Sequence, residues 1–274
     1  MSQLCFITTC KGRLAHLQQS LPAMAAQPGA ACVVVDYSCP EQCGAWVEAN
    51  YPHVRVVRVL DRPGFSVGEA RNRGVVGVTA PWLCFVDADV VLDPAFSRIV
   101  LPALRPRTYY RPQPQVSELG GAVVCLRADF ERMGGYDEVM LGWGREDLDL
   151  YDRFDLVGLA CSAIDARLMT PLLHEDALRV RHHALKDKSF SESVNHVYSR
   201  VKLDLMRLSH VHPNRETRQR LYEQVQAMMR QAQESPAAQH FEFDYARLYL
   251  GTGWKATAQV RVVLEERTGN EGKD

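Results

Sequence analysis

Short apolar runs alternate with stretches of helical periodicity over the first ninety residues. Residues 4–9 predict a buried strand; Lys11, Gly12 and Arg13 interrupt the pattern before Leu14, Leu17, Leu21 and Met24 recur at helical spacing. Residues 31–36 form a second, valine-rich run that ends in Asp36. Residues 40–50 follow as a predicted helix, with Pro40 at its start and Trp46 and Val47 on its apolar side. A third strand, 54–59, leads through Pro63, Gly64 and Phe65 into a helix carrying Glu69, Ala70, Arg71, Asn72, Arg73 and Gly74. A fourth, 81–86, delivers Asp87 and Asp89. Strands alternating with helices predict an α/β fold with a parallel, Rossmann-like sheet covered on both faces.

The order then loosens. Residues 101–120 are rich in Pro, Arg and Tyr and read as an irregular surface loop, and 121–126 return to strand pattern. Beyond residue 185 two long helices are expected, 189–208 and 215–233. Val194, Val197, Val201, Leu205 and Leu208 form one apolar stripe on the first, most simply a packing face. Residues 1–185 are therefore expected to form one α/β domain, and 186–274 a mainly helical extension.

The chain has 274 residues, 46% hydrophobic, enough for a large core. Its 32 Lys and Arg are matched by 33 Asp and Glu, so charge makes no case for a nucleic-acid or anionic-membrane partner. Eight cysteines are scattered without any Cys-x-x-Cys pair, which reads as buried reduced thiols. No signal-like N-terminus and no run of about 20 apolar residues is present. A cytoplasmic protein is expected, with peripheral association at a membrane or a polysaccharide-assembly partner left open.

Two acidic motifs carry the candidate chemistry. Asp87 and Asp89 are separated by one residue at the end of a buried strand, so both point the same way, at the sheet edge where α/β folds bind ligands. Carboxylates are hard donors suited to Mn²⁺ or Mg²⁺; the alternative is a cap on the helix expected near Pro94. Gly142, Trp143 and Gly144 precede Arg145, Glu146, Asp147 and Asp149. Acidic residues in a first turn favour the helix dipole. Trp143 adds a surface on which a sugar can stack, and a carboxylate beside it can take a proton from an attacking hydroxyl.

Further along, His174, His182 and His183 cluster with Lys186 and Lys188. The group is either a basic flap for phosphates, with imidazoles available to a metal, or a solvated basic face. Arg71 and Asn72 face the same sheet edge and are either contacts for a nucleotide or phosphate or part of an exposed helix face; Asp36, at the end of the second strand, is a candidate acceptor for a base or ribose.

Taken in order, these segments resemble a glycosyltransferase of the GT-A fold. They are residues 6–9, Asp36, 69–74, Asp87 to Asp89, Gly134 to Glu138 and Gly142 to Asp149. The last two are similar to the C-terminal galactosyltransferase-type module shared by β-1,4-galactosyltransferases, polypeptide N-acetylgalactosaminyltransferases and chondroitin-type polymerases. The resemblance spans roughly residues 3 to 190. It implies a UDP-sugar donor, a divalent metal on the diphosphate and a glycan acceptor. It also implies roles: Asp89 as direct metal ligand, Asp87 near the ribose or metal-bound water, and His174 first, His182 second, as the coordinating histidine. Asp147 matches the general base of inverting members, with Glu146 and Trp143 on the acceptor side and Asp36, Arg71, Asn72 and Lys186 on the donor side. Arg145 stands where the module usually has a second glycine, and the helices after residue 185 have no counterpart; they are candidates for a partner surface or for pairing two copies. A retaining transferase on the same fold, or a catalytically silent nucleotide- or glycan-binding component of a larger complex, are the alternatives.

Overall fold

The computed structural model describes residues 2–173, 181–183, 185–235, 239–250 and 254–264. They fall into two compact units, Met1–Lys186 and Asp187–Asp274.

The first unit opens with β1 (Leu4–Cys10), α1 (Leu14–Ala25), β2 (Ala30–Tyr37), α2 (Cys43–Asn50), β3 (Arg55–Val59), α3 (Val67–Val75) and β4 (Trp82–Phe85). It continues with β5 (Val90–Leu92), α4 (Phe96–Val100), β6 (Thr108–Gln113), β7 (Val123–Leu126), α5 (Arg127–Arg132), α6 (Glu146–Leu156), β8 (Ala160–Asp165) and β9 (Met169–Pro171). The central sheet has the order β3-β2-β1-β4-β7-β6-β8. Every neighbouring pair is parallel except those made by β7, which runs against both β4 and β6. A separate ladder joins β5 to β9.

Side-chain alternation explains the two covered faces. Leu4, Phe6 and Cys10 of β1 point to one side, where Leu17, Leu21 and Met24 of α1 and Val47 of α2 close the core. Cys5 and Ile7 point to the other, against Ala70 of α3, Phe130 of α5 and Leu150 and Phe154 of α6. With a side-chain period of two, a strand buried on both sides must be apolar at successive positions, as the sequence pattern shows. Ser66 caps α3, its side-chain oxygen accepting the Glu69 N–H at 3.3 Å.

Two sequence expectations change. The helix expected from Pro40 begins at Cys43, because residues 40–42 are spent on a turn in which Gln42 is left-handed, φ 51°. The stretch 101–120 is not wholly irregular, since it contains β6, which lies between β7 and β8. Pro112 hid this strand, lacking the N–H a ladder uses. Its Tyr109 and Tyr110 nonetheless bury on opposite faces.

The second unit contains α7 (Lys188–Ser209), α8 (Arg215–Glu234) and an antiparallel ribbon of β10 (Gln239–Leu250) and β11 (Trp254–Leu264). Asp187 caps α7 through the Phe190 N–H, and Asn214 caps α8 through that of Thr217, both at 2.9 Å. Along α7, Val194, Val201 and Leu205 are buried, whereas Leu208 is 58% exposed, so the stripe ends a turn early. Tyr198 of α7 meets Tyr222 of α8 edge-on, with centroids 5.2 Å apart. The ribbon adds strand to a region that reads in sequence as helical.

Candidate active site

Arg71 organises the sheet edge. It projects from α3 with 2% of its surface exposed, and its guanidinium lies 5.0 Å from the Tyr136 ring centroid. Nη2 donates to Asp87 Oδ1 at 2.8 Å and Nη1 to Asp147 Oδ1. One cation thus ties the end of β4 to the first turn of α6. Gly121 permits the meeting: a methyl added there would lie 2.7 Å from Arg71 Nη2 and 3.1 Å from Oδ2 of both Asp87 and Asp147. Each of these carboxylates therefore directs its second oxygen into the space that a side chain at 121 would fill.

Two neighbouring carboxyls here are pushed towards the protonated form. Burial pushes Glu146 up to about 8, the charge of Asp147 adds to the effect, and Arg71 opposes it. Burial also raises Asp147, but there the Arg71 charge and hydrogen bond are the main counterweight. Arg71, whose hydrogen bond goes to Asp147, is thus the group that favours the anion of that carboxyl, while burial and the Asp147 charge favour the proton on Glu146. Asp149 has a different fate. It is fully buried and pairs with Arg153 at 2.9 Å, while Arg153 also donates to the Met133 carbonyl. It supports α6 from the core side.

Trp143 is half-buried in a turn whose flanking Gly142 and Gly144 have φ of 78° and 97°, conformations that favour glycine. Arg145 follows with φ 77°, also left-handed, and its Nη2 binds Asp152 Oδ2 at 2.6 Å.

Asp89 accepts from Arg13 Nη1 at 2.6 Å. Leu172, two positions before His174, donates its N–H to the Asp89 carbonyl at 2.7 Å; His174 itself lies outside the described residues. His182 stands over the loop after β1: a Cβ at Gly12 would be 2.2 Å from its Nε2, and its carbonyl accepts from Phe65 N at 2.6 Å. Burial and the surrounding cations lower the affinity of His182 for a proton. The same causes bring His183 down to about 4, against a hydrogen bond to the Gly142 backbone that pulls upward. The two histidines thus join the β1 loop to the Trp143 turn. Lys186 is exposed and donates to the Arg181 carbonyl.

Asp36 and Asn72 are engaged within the protein. The Asp36 carboxylate accepts from Cys39 N at 2.8 Å and Gly44 N at 3.1 Å, bracing the turn into α2. Asn72 donates to the Tyr136 carbonyl and to Glu138, and accepts from Tyr136 N, which fixes the loop carrying Gly134 to Glu138.

Four residues join the site that the sequence does not assign to it. Gly121 and Tyr136 surround Arg71. Arg13 takes the Asp89 carboxylate. Arg111 of β6 lies 4.2 Å from the Tyr151 ring centroid and its charge acts on Asp147. Arg13 carries a readable signal as a basic residue in the turn after the first strand, and Tyr136 lies within the Gly134 to Glu138 segment.

Comparisons with known proteins agree with this architecture. A family model described as the N-terminal domain of galactosyltransferase matches residues 105–182, the segment that includes Arg111, Gly121, Glu146 and Asp147. No curated protein gives a significant match. Among solved structures, mannosyltransferase PcManGT from Pyrobaculum calidifontis, in complex with GDP-Man and Mn²⁺, is similar with a TM-score of 0.54 and 12% identity. The match covers 83% of this chain and 69% of that one. S. aureus TarS 1-349 in complex with UDP-GlcNAc gives a TM-score of 0.57 and 12% identity, over 85% of this chain and 73% of its own. The chain thus has the GT-A fold of these structures, and its residues 105–182 are similar to a galactosyltransferase segment.

Proposed function

We propose that this chain transfers a hexose or N-acetylhexosamine from a UDP-sugar to a glycan hydroxyl, with inversion at the transferred carbon. The observation that carries the reading is the Arg71 node, where Asp87 of the donor motif and Asp147 of the acceptor motif share one buried cation. In this reading Asp147 removes the proton from the attacking hydroxyl through the oxygen beside Gly121. Glu146, protonated, donates a hydrogen bond to an acceptor oxygen, and Trp143 offers its ring to a sugar face. Holding acceptor and donor across one node supplies the orientation that a displacement needs.

Asp87 and Asp89 fit a hard divalent cation. Both are carboxylates on one strand end, and their present partners, Arg71 and Arg13, show that each accepts positive charge there. Mn²⁺ or Mg²⁺ held by Asp89, with Asp87 beside it and His174 as the imidazole candidate, would supply charge to a departing diphosphate. Arg13 and Lys186 add cations of the chain's own. The similarity to structures holding GDP-Man with Mn²⁺ and UDP-GlcNAc supports a nucleotide-sugar donor.

We place the protein in the cytoplasm. Seven of its cysteines are buried free thiols, which suits a reducing compartment, and among the described residues no helix is long and apolar enough to cross a membrane.

Calorimetric titration with UDP and other nucleoside diphosphates, with Mn²⁺, with Mg²⁺ and with chelator, tests the donor half. UDP-selective, metal-dependent binding that disappears in Asp89→Ala is expected; no binding to any nucleotide would sink the reading. Asp147→Asn is expected to bind UDP normally yet lose at least about 10²-fold in turnover, the usual scale for a general base. Normal turnover in that variant removes Asp147 from the role. The anomeric configuration of the product, read by NMR, separates inversion from retention.

A further inference from the structure

Three cysteines that are scattered in sequence converge beside the β1 loop. Cys10 closes β1, Cys39 lies two residues beyond β2, and Cys43 opens α2. Their sulfur atoms all lie within 4.8 Å of one another, and the three residues are 1%, 8% and 0% exposed. Small buried thiols can be ordinary core packing. Three features here exceed what packing requires. The three sulfurs lie within 4.8 Å of one another although their residues come from β1, the turn after β2 and α2. The Gly12 N–H is aimed at Cys39 Sγ, 3.2 Å away. The turn that brings Cys39 towards Cys43 is held by Asp36, which accepts from both Cys39 N and Gly44 N.

We propose that Cys10, Cys39 and Cys43 bind a zinc ion as three thiolates. A zinc–sulfur bond of about 2.3 Å in tetrahedral geometry places thiolates about 3.8 Å apart, so the cluster needs to close by no more than about 1 Å. The Cys39-x₃-Cys43 pair has a spacing common in zinc sites. Binding expels the thiol protons to solvent and replaces three mutually crowded S–H groups with one zinc–thiolate centre that carries a single net negative charge. For the fourth position the neighbouring donor is His182. Its Nε2 is buried without a hydrogen-bond partner and stands over Gly12, whose N–H already reaches Cys39. Soft thiolates select zinc and do not suit Mn²⁺ or Mg²⁺, so this centre is separate from the Asp87–Asp89 carboxylates. It would pin the ends of β1 and β2 beside Lys11 and Asp36.

The full chain, purified under reducing conditions without chelator, is assayed for zinc, then loaded with Co²⁺. One zinc per chain is expected, and the cobalt form should show thiolate-to-metal charge transfer with the intense visible bands of a tetrahedral site. Cys39→Ser and Cys43→Ser should each weaken metal binding by more than the 10–100-fold typical of losing an outer-shell contact. Cys5→Ser, which alters a buried thiol outside the cluster, should leave it unchanged. Thiol titration of the wild type guards against variants that fail to fold: zinc should shield three of the eight thiols, and chelator should release them. A folded wild type that takes up no zinc, shows no charge-transfer band and titrates all eight thiols alike with and without zinc would overturn the site. Unaltered binding in both serine variants would do the same.

Discussion

A methyl group at position 121 would enter the space shared by Arg71, Asp87 and Asp147, at 2.7 Å from the guanidinium. Gly121→Ala is therefore expected to displace the node while leaving the sheet intact. A shift near 1 Å in a catalytic constellation costs on the order of 10²-fold in rate. Turnover should fall by about that factor with little change in melting temperature; an alanine variant of normal activity would show that the node is not where reaction occurs. Glu146 makes a second residue-scale prediction. Its folded-state value of about 8 exceeds the ordinary carboxyl value of 4.5, so between those limits the folded protein holds a proton that the unfolded chain releases. The contribution is fully present below pH 4.5 and is lost as pH rises through 8. Glu146→Gln cannot ionise, so its melting temperature relative to wild type should rise from pH 5 to pH 8. An offset that stays constant across that range would mean Glu146 is not held protonated.

At the scale of elements, α6 shows what local sequence can and cannot say. Glu146, Asp147 and Asp149 look alike in the chain, but Asp149, two positions past Asp147, turns about 200° around the helix and enters the core with Arg153. Spacing alone signals an acidic first turn; which acid joins the node depends on Arg71, 76 positions away. The strands β1, β2 and β4 and the Asp87–Asp89 pair are legible because largely apolar runs bounded by polar residues act locally. The β6 strand, the Gly121 gap and the three-cysteine convergence depend on which segments become neighbours, and no periodicity encodes that. Arg145, just before α6, carries a local signal that the structure explains. Its left-handed φ of 77° costs about 1 kcal/mol for a non-glycine residue, and its bond to Asp152 offsets the strain. Arg145→Gly loses the bond but relieves the backbone, whereas Arg145→Ala loses the bond and keeps the strain. The glycine variant should be the more stable of the two by about 1 kcal/mol in urea denaturation. Equal stability would mean that the turn relaxes freely.

For the molecule as a whole, the question is which part carries donor recognition. Both faces of the seven-stranded sheet are closed by residues between Leu4 and Met169, so the core of the first unit is complete within its own sequence. Arg13, Arg71, Asp87, Asp89, Glu146 and Asp147 all belong to that unit, as do the three clustered cysteines and His182. The second unit has capped helices, a buried Tyr198–Tyr222 contact and its own ribbon, features of a body that packs for itself. A chain of nearly 190 residues with a two-faced core is well above the size at which a single domain needs a partner to fold. We therefore expect residues 1–186, produced alone, to unfold cooperatively and to bind UDP within about threefold of the full chain, a difference below 1 kcal/mol. Transfer to a glycan, by contrast, is expected to suffer if 187–274 hold the acceptor or a second copy of the chain. Calorimetry and a transfer assay on the same shortened protein separate the two. Loss of UDP binding in a folded 1–186 fragment would mean that the second unit completes the donor site. Full transfer activity in it would remove any role of that unit in the reaction.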